Sequence, residues 1–90
     1  MTAQITHVRF NGYSKNEDIA LYRWRLESGE QGESDRVSMI AWMDQGNDMV
    51  IQIDGAWQPV GIVRIAGQAP FLCAHLNGQW TDGLLRLPMF

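Results

Sequence analysis

The sequence predicts an α+β domain: a mainly antiparallel, twisted sheet in the order β-β-α-β-β-β, with room for one short extra strand and one helix packed on a face. Three observations predict it. Residues 4–10 and 19–27 alternate with the period of two of a half-buried strand. Apolar residues recur at helical spacing between Ser34 and Gly46. The second half carries Asp54-Gly55 and Asn77-Gly78, two strong hairpin dipeptides, each flanked by strand-like runs. A small bent barrel is the alternative arrangement of the same strands.

In the first strand, Thr6, Val8 and Phe10 share one face and Ile5, His7 and Arg9 the other, and Asn11-Gly12 ends it. The second places Ala20, Tyr22, Trp24 and Leu26 opposite Ile19, Leu21, Arg23 and Arg25, and the charged loop Ser14 to Asp18 lets the two pair antiparallel. Glu27 to Glu33 holds two glycines and three carboxylates without periodicity, which predicts an exposed connection. Ser34 then serves as helix N-cap, Asp35 meets the positive end of the helix dipole, and Gly46 is the stop. Val37, Ile40, Ala41 and Met43 form the buried stripe, about 16 Å long at 1.5 Å per residue. Met39 and Trp42 fall outside it, so a loop, the C-terminal tail or a second subunit must cover them.

Strands are expected at Met49 to Ile53, Ala56 to Ile65, Phe71 to Leu76 and Gln79 to Asp82. Two-residue type I′ turns set Ile53 across from Ala56 and His75 across from Trp80. Pro59 cannot donate to a ladder, so its strand should be an edge there, or bulged. The core should hold Val8, Phe10, Tyr22, Trp24, Leu26 and Ile40, and the four tryptophans Trp24, Trp42, Trp57 and Trp80 read as core fillers.

Ninety residues with 46% hydrophobic content support one domain, 1–90, and exclude a disordered chain. A single cysteine, Cys73, rules out the intramolecular disulfide framework of small secreted domains. With no basic-then-apolar leader and no long apolar run, the chain reads as cytoplasmic with no membrane segment.

No catalytic, cofactor-binding or metal-ligating residue is assigned, and no cofactor is expected. Cys73, His7 and His75 fall short of a four-ligand zinc set, and Glu27 to Asp35 lacks the ligand spacing of a calcium loop. Cys73 and His75, about 7 Å apart along one strand face, lack an orienting third group. A non-enzymatic interaction module is therefore expected, with a protein partner that the sequence does not identify or a second copy of itself as a homodimer. Its candidate interface is Met39, Trp42, Leu87 and Phe90. The alternative is anion or single-stranded nucleic-acid binding through the strand arginines Arg9, Arg23, Arg25 and Arg64, whose guanidinium forks suit phosphate. The net charge of −3 disfavours nucleic acid, and turn carboxylates are available to pair with those arginines.

The run Asn77-Gly78-Gln79-Trp80-Thr81-Asp82-Gly83-Leu84-Leu85-Arg86-Leu87-Pro88 resembles the end of a bacterial family of short proteins known only as a domain of unknown function. Ile5-Thr6-His7-Val8-Arg9, Ile19 to Trp24, Gly32-Glu33-Ser34 with Met39, Ile40 and Trp42, and Gly61-Ile62-Val63-Arg64 are similar to that pattern in order and spacing. Two departures stand out: Val37 and Ser38 replace acids in the first helical turn, and Gly83 stands where asparagine is usual. The resemblance implies one fold unit, a bacterial source and a small stand-alone protein. It implies no catalytic residue or substrate.

Overall fold

The computed structural model describes residues 1–90. Its strands are β1 (Thr2–Phe10), β2 (Ile19–Leu26), β3 (Gln31–Asp35), β4 (Asp48–Ile53), β5 (Ala56–Val63), β6 (Phe71–Leu76) and β7 (Gln79–Trp80). The helix α1 (Arg36–Asp44) follows β3, and short 3-10 turns cover Asn16–Asp18 and Gly83–Arg86. The strands form one sheet in the order β3-β2-β1-β4-β5-β6-β7. All neighbours are antiparallel except β1 and β4. That parallel pair follows from connectivity, because α1 carries the chain from the β3 edge back to the sheet centre, and a parallel return needs such a crossover. The sheet curls until β6 touches both α1 and the Asn16–Asp18 turn. Its edges β3 and β7 nevertheless stay unpaired, so it is an open sheet and not a barrel.

Both hairpin dipeptides make the turns their residues favour. Asp54 and Gly55 have φ of 50° and 81°, Asn77 and Gly78 of 54° and 80°, the left-handed pair that a type I′ turn requires. Ile53 therefore pairs with Ala56 and His75 with Trp80. Pro59 sits in β5 opposite Val50, and β6 begins to pair only at Val60, so no second ladder asks for the proline's missing N–H.

Two bulges overturn the faces expected for the first hairpin. The β1–β2 register steps from Ile5–Trp24 to His7–Arg23, leaving Thr6 extra, and from Arg9–Leu21 to Phe10–Ile19, leaving Ala20 extra. One extra residue inverts the alternation beyond it. Ala3 and Ile5 thus share the core face with Val8, and Ile19 shares it with Tyr22. His7 and Arg9 remain on the outer face with Arg23 and Arg25, without Ile5. Ile5, Val8, Ile19, Tyr22, Ile40, Met49, Ile51, Leu72 and Leu84 form the heart of the core, while Phe10 and Trp24 pack on it half-buried.

The segment before the helix is also corrected. Gln31 to Asp35 is an edge strand, not an exposed connection, and pairs with Leu21 to Arg25. Extended backbone through Asp35 delays the helix by one residue. Asp35, not Ser34, is the N-cap: its Oδ1 accepts from the Ser38 amide at 2.8 Å. That hydrogen bond holds the Asp35 carboxyl below its ordinary pKa. The helix face turns accordingly. Met39 and Ile40 are buried, Trp42 and Met43 half-buried, whereas Val37 is 76% exposed and Ala41 is also exposed. Gly46, at φ +98°, terminates the helix as its position suggests.

Candidate functional site

Between α1 and the β2–β3 end of the sheet lies a cavity of about 370 Å³, within the size range of small-molecule sites. Seven of its ten lining residues are hydrophobic. The sheet contributes Ala3 from β1, Trp24 and Leu26 from β2, and Met49 from β4; the helix contributes Ser38, Met39 and Trp42. Met1 and Glu30 border it, and Ser34 of β3 completes the polar part.

Its walls follow from local sequence. Trp24 points to the core face because it lies across from Ile5, and on its other side it faces Gly32 of β3. A Cβ at Gly32 would stand 2.5 Å from Trp24 Cζ2, so the absent side chain lets the indole lie across the edge strand. Trp24 Nε1 donates to Ser34 Oγ at 3.1 Å, which satisfies the indole's one polar group and leaves the serine proton free to be donated elsewhere. Glu30 is placed by its backbone. The Leu26 amide donates to the Glu30 carbonyl at 2.8 Å, and the Glu30 amide donates to Ser28 Oγ at 3.4 Å. Its carboxylate makes no hydrogen bond or ion pair.

The candidate interface residues separate. Met39 is 3% exposed and Leu87 8%, so both belong to the core and present no free apolar surface. Trp42 is half-buried and forms part of the cavity wall. Phe90 lies on the opposite face of the sheet, where Val8 bridges to Met89; the Val8 amide donates to the Pro88 carbonyl at 3.0 Å and the Phe90 amide to the Val8 carbonyl at 3.2 Å. Met39, expected to need a loop, the C-terminal tail or a second subunit to cover it, is instead buried within the core, and Trp42 packs half-buried against that core under a helix rotated toward the sheet.

Three of the four strand arginines share the outer face. Arg9 donates through Nε to the Phe90 main-chain oxygen at 2.8 Å, with its guanidinium 4.6 Å from the Phe90 ring centroid. Arg23 covers the same ring at 4.3 Å and pairs with Glu33 at 2.8 Å. His7 meets that ring edge-on at 6.4 Å. Arg25 donates to Gln4 Oε1 at 3.0 Å. Arg64 does not join them: it is bound at 2.9 Å to Asp44 at the end of α1. A strand carboxylate, Glu33, and a helix carboxylate, Asp44, thus take two of the four arginines, neither from a turn as expected, and the Phe90 segment and the Gln4 amide occupy the other two.

The Cys73 and His75 side chains meet different partners. The Cys73 thiol donates to the Thr81 carbonyl at 3.4 Å, and burial pushes its pKa up, away from the reactive thiolate. His75 instead meets Trp80 edge-on at 5.6 Å. Trp57 and Trp80 are 53% and 55% exposed, so neither is the core filler expected. No group of three metal-ligating side chains converges anywhere in the chain. No helix is long and apolar enough to cross a membrane.

Sequence reasoning missed the cavity. Its signal was the missed strand: an edge built of alternating Gln31, Glu33 and Asp35, with a glycine placed where a tryptophan ring must cross. Compared with family models, curated proteins and solved structures, the chain matches none.

Proposed function

We propose that this chain is a non-enzymatic binding module that takes an apolar group into the cavity between α1 and the β2–β3 hairpin. The observation that carries the reading is an apolar chamber of about 370 Å³ walled by Trp24 and Trp42 and edged by Glu30, Ser34 and Ser38. Apolar walls with a few polar groups are the usual anatomy of a ligand site. The same arrangement accepts a free small molecule or a side chain offered by a partner, including a second copy of the chain. The resemblance to a bacterial family of short proteins fits a module of this size and adds no ligand.

The test is a titration of the 15N-labelled protein with 2-phenylethanol, followed at the Trp24 and Trp42 indole N–H resonances. Saturable shifts at both indoles, abolished in Trp42→Ala, support the cavity as a site; no shift up to the solubility limit of the probe removes it. Light scattering across a tenfold concentration range addresses the second copy. A dimer that Trp42→Glu dissociates supports self-association through this site, and a monomer throughout rejects it.

A second reading rests on Arg9, Arg23 and Arg25 sharing the outer face with Phe90, while Trp57 borders the same groove as Arg25 and Gln4. Aromatic rings among guanidiniums suit single-stranded nucleic acid. Anisotropy with a labelled oligothymidine at low salt tests it, and absence of binding there rejects it, because phosphate contacts are strongest at low salt.

A further inference from the structure

We propose that the later part of β1, residues 7–10, is a docking edge for an extended peptide segment of another protein, selected by an aromatic side chain seated between Arg9 and Arg23. β4 pairs with β1 only at Thr2, Ala3 and Gln4, so beyond them the side of β1 turned away from β2 has no strand of the sheet beside it. Residues 88–90 lie there instead. The Val8 amide donates to the Pro88 carbonyl at 3.0 Å and the Val8 carbonyl accepts from the Phe90 amide at 3.2 Å, a parallel bridge centred on Met89. The Phe90 ring centroid lies 4.6 Å from the Arg9 guanidinium and 4.3 Å from that of Arg23, with His7 edge-on at 6.4 Å. Arg9 Nε donates to the Phe90 oxygen at 2.8 Å. Main-chain bonds for affinity and a side-chain seat for specificity are the two parts of peptide recognition by strand addition, and residues 88–90 display how a peptide fills both.

The internal occupant is held lightly enough to exchange. Leu87 is buried, but Pro88 and Met89 are exposed, and Phe90 is half-buried against side chains of the outer face. A segment with so few buried apolar contacts opens at a small fraction of the free energy of global unfolding. Opening bares the amide and carbonyl of Val8 and the faces of two guanidiniums, each of which attracts an aromatic ring. A nucleic-acid base could stack there, but it has no main chain to answer Val8, so the site as a whole fits a peptide. The proposal is independent of the cavity under α1, which lies on the other face of the sheet.

The test uses the full chain with one substitution. Phe90→Pro removes the ring and, with its N–H, one of the two bonds to Val8, which vacates the seat without touching the core. Acetyl-Pro-Met-Phe-amide is titrated into the 15N-labelled protein and read at the Val8 amide and the Arg9 and Arg23 Nε–H resonances, while the Trp24 indole resonance reports an intact fold. The peptide should bind Phe90→Pro about tenfold tighter than the parent, where the tethered segment competes at an effective concentration on the order of millimolar. Phe90→Ala, which keeps the N–H, should show a smaller gain. Leucine for phenylalanine in the peptide should weaken binding about five- to thirtyfold through loss of two cation–π contacts, and Arg9→Gln or Arg23→Gln added to Phe90→Pro should each reduce that preference. Equal binding by parent and Phe90→Pro, no preference for phenylalanine over leucine, or no shift at millimolar peptide overturns the proposal. Oligothymidine moving the same resonances while the peptide leaves them unmoved also overturns it, in favour of the nucleic-acid reading.

Discussion

Replacing Gly32 by alanine tests whether the Trp24 ring is held across the edge strand by the absence of a side chain there. The new Cβ would lie 2.5 Å from Trp24 Cζ2, 3.0 Å from Cη2 and 3.1 Å from Cε2. Real Cβ atoms essentially never sit under 3.0 Å from such a neighbour, and an indole is a rigid plate, so the ring or the β3 backbone must shift. Overpacking of this kind costs about 1–3 kcal/mol. A displaced ring also loses its 3.1 Å bond to Ser34 Oγ, a further 0.5–1.5 kcal/mol or so. Against this, alanine gains roughly 0.5–1 kcal/mol over glycine in chain entropy. The net expectation is a loss of about 1–3 kcal/mol, which lowers Tm by roughly 4–8 °C per kcal/mol in a domain of this size. Urea and thermal unfolding measure the loss, and the Trp24 indole resonance reports the ring. A variant as stable as the parent with an unmoved indole resonance would refute the packing argument, and with it the account of how the cavity wall is built.

Four further outcomes follow from the packing and hydrogen bonding of the chain. Gly83→Ala should cost about 1–3 kcal/mol in chemical unfolding, because a Cβ there would stand 2.6 Å from Ile51 Cδ1 and 2.9 Å from Gln58 Oε1; asparagine should fare no better. Tyr22→Phe should leave stability unchanged or raise it by up to about 1 kcal/mol, since the buried Tyr22 hydroxyl has no hydrogen-bond partner in the protein and burial raises its pKa; a clear loss in urea unfolding would reveal a partner. Asp35 has its folded pKa depressed, so its contribution is present above the unfolded carboxyl value and is lost as pH falls through the folded one. Tm measured from pH 6 to pH 2 should therefore show an acid-side decline that Asp35→Asn flattens, asparagine being an equally good cap, while Asp35→Ala lowers Tm at pH 6. Finally, Arg64→Ala should change stability by no more than about 1 kcal/mol, because its bond to Asp44 joins two exposed side chains.

Much of the fold was legible because it rests on local chemistry. Asp54-Gly55 and Asn77-Gly78 dictate their turns through φ, and those turns set the registers of Ile53 with Ala56 and His75 with Trp80. Gly46 ends the helix for the same local reason. The faces of the first hairpin were not legible, since a bulge at Thr6 or Ala20 is selected by the partner strand and leaves no mark in the alternation itself. The edge strand Gln31–Asp35 was hidden because a half-solvated edge is polar, and polarity with glycine looks like a loop.

By itself the sequence determined the class of domain, the turns, the position of the helix and the residues able to build a core, all from short-range steric and periodic preferences. Only the tertiary structure decided which face of the helix is buried, that Met39 and Leu87 are interior, and that Trp24, Trp42 and Glu30 meet around one cavity. Arg9 and Arg23 gather on Phe90 for the same reason, across 81 residues of chain in the case of Arg9. Such meetings depend on where β3, α1 and the C-terminal segment dock, which is set by the packing of the whole sheet and by no neighbourhood of residues along the chain.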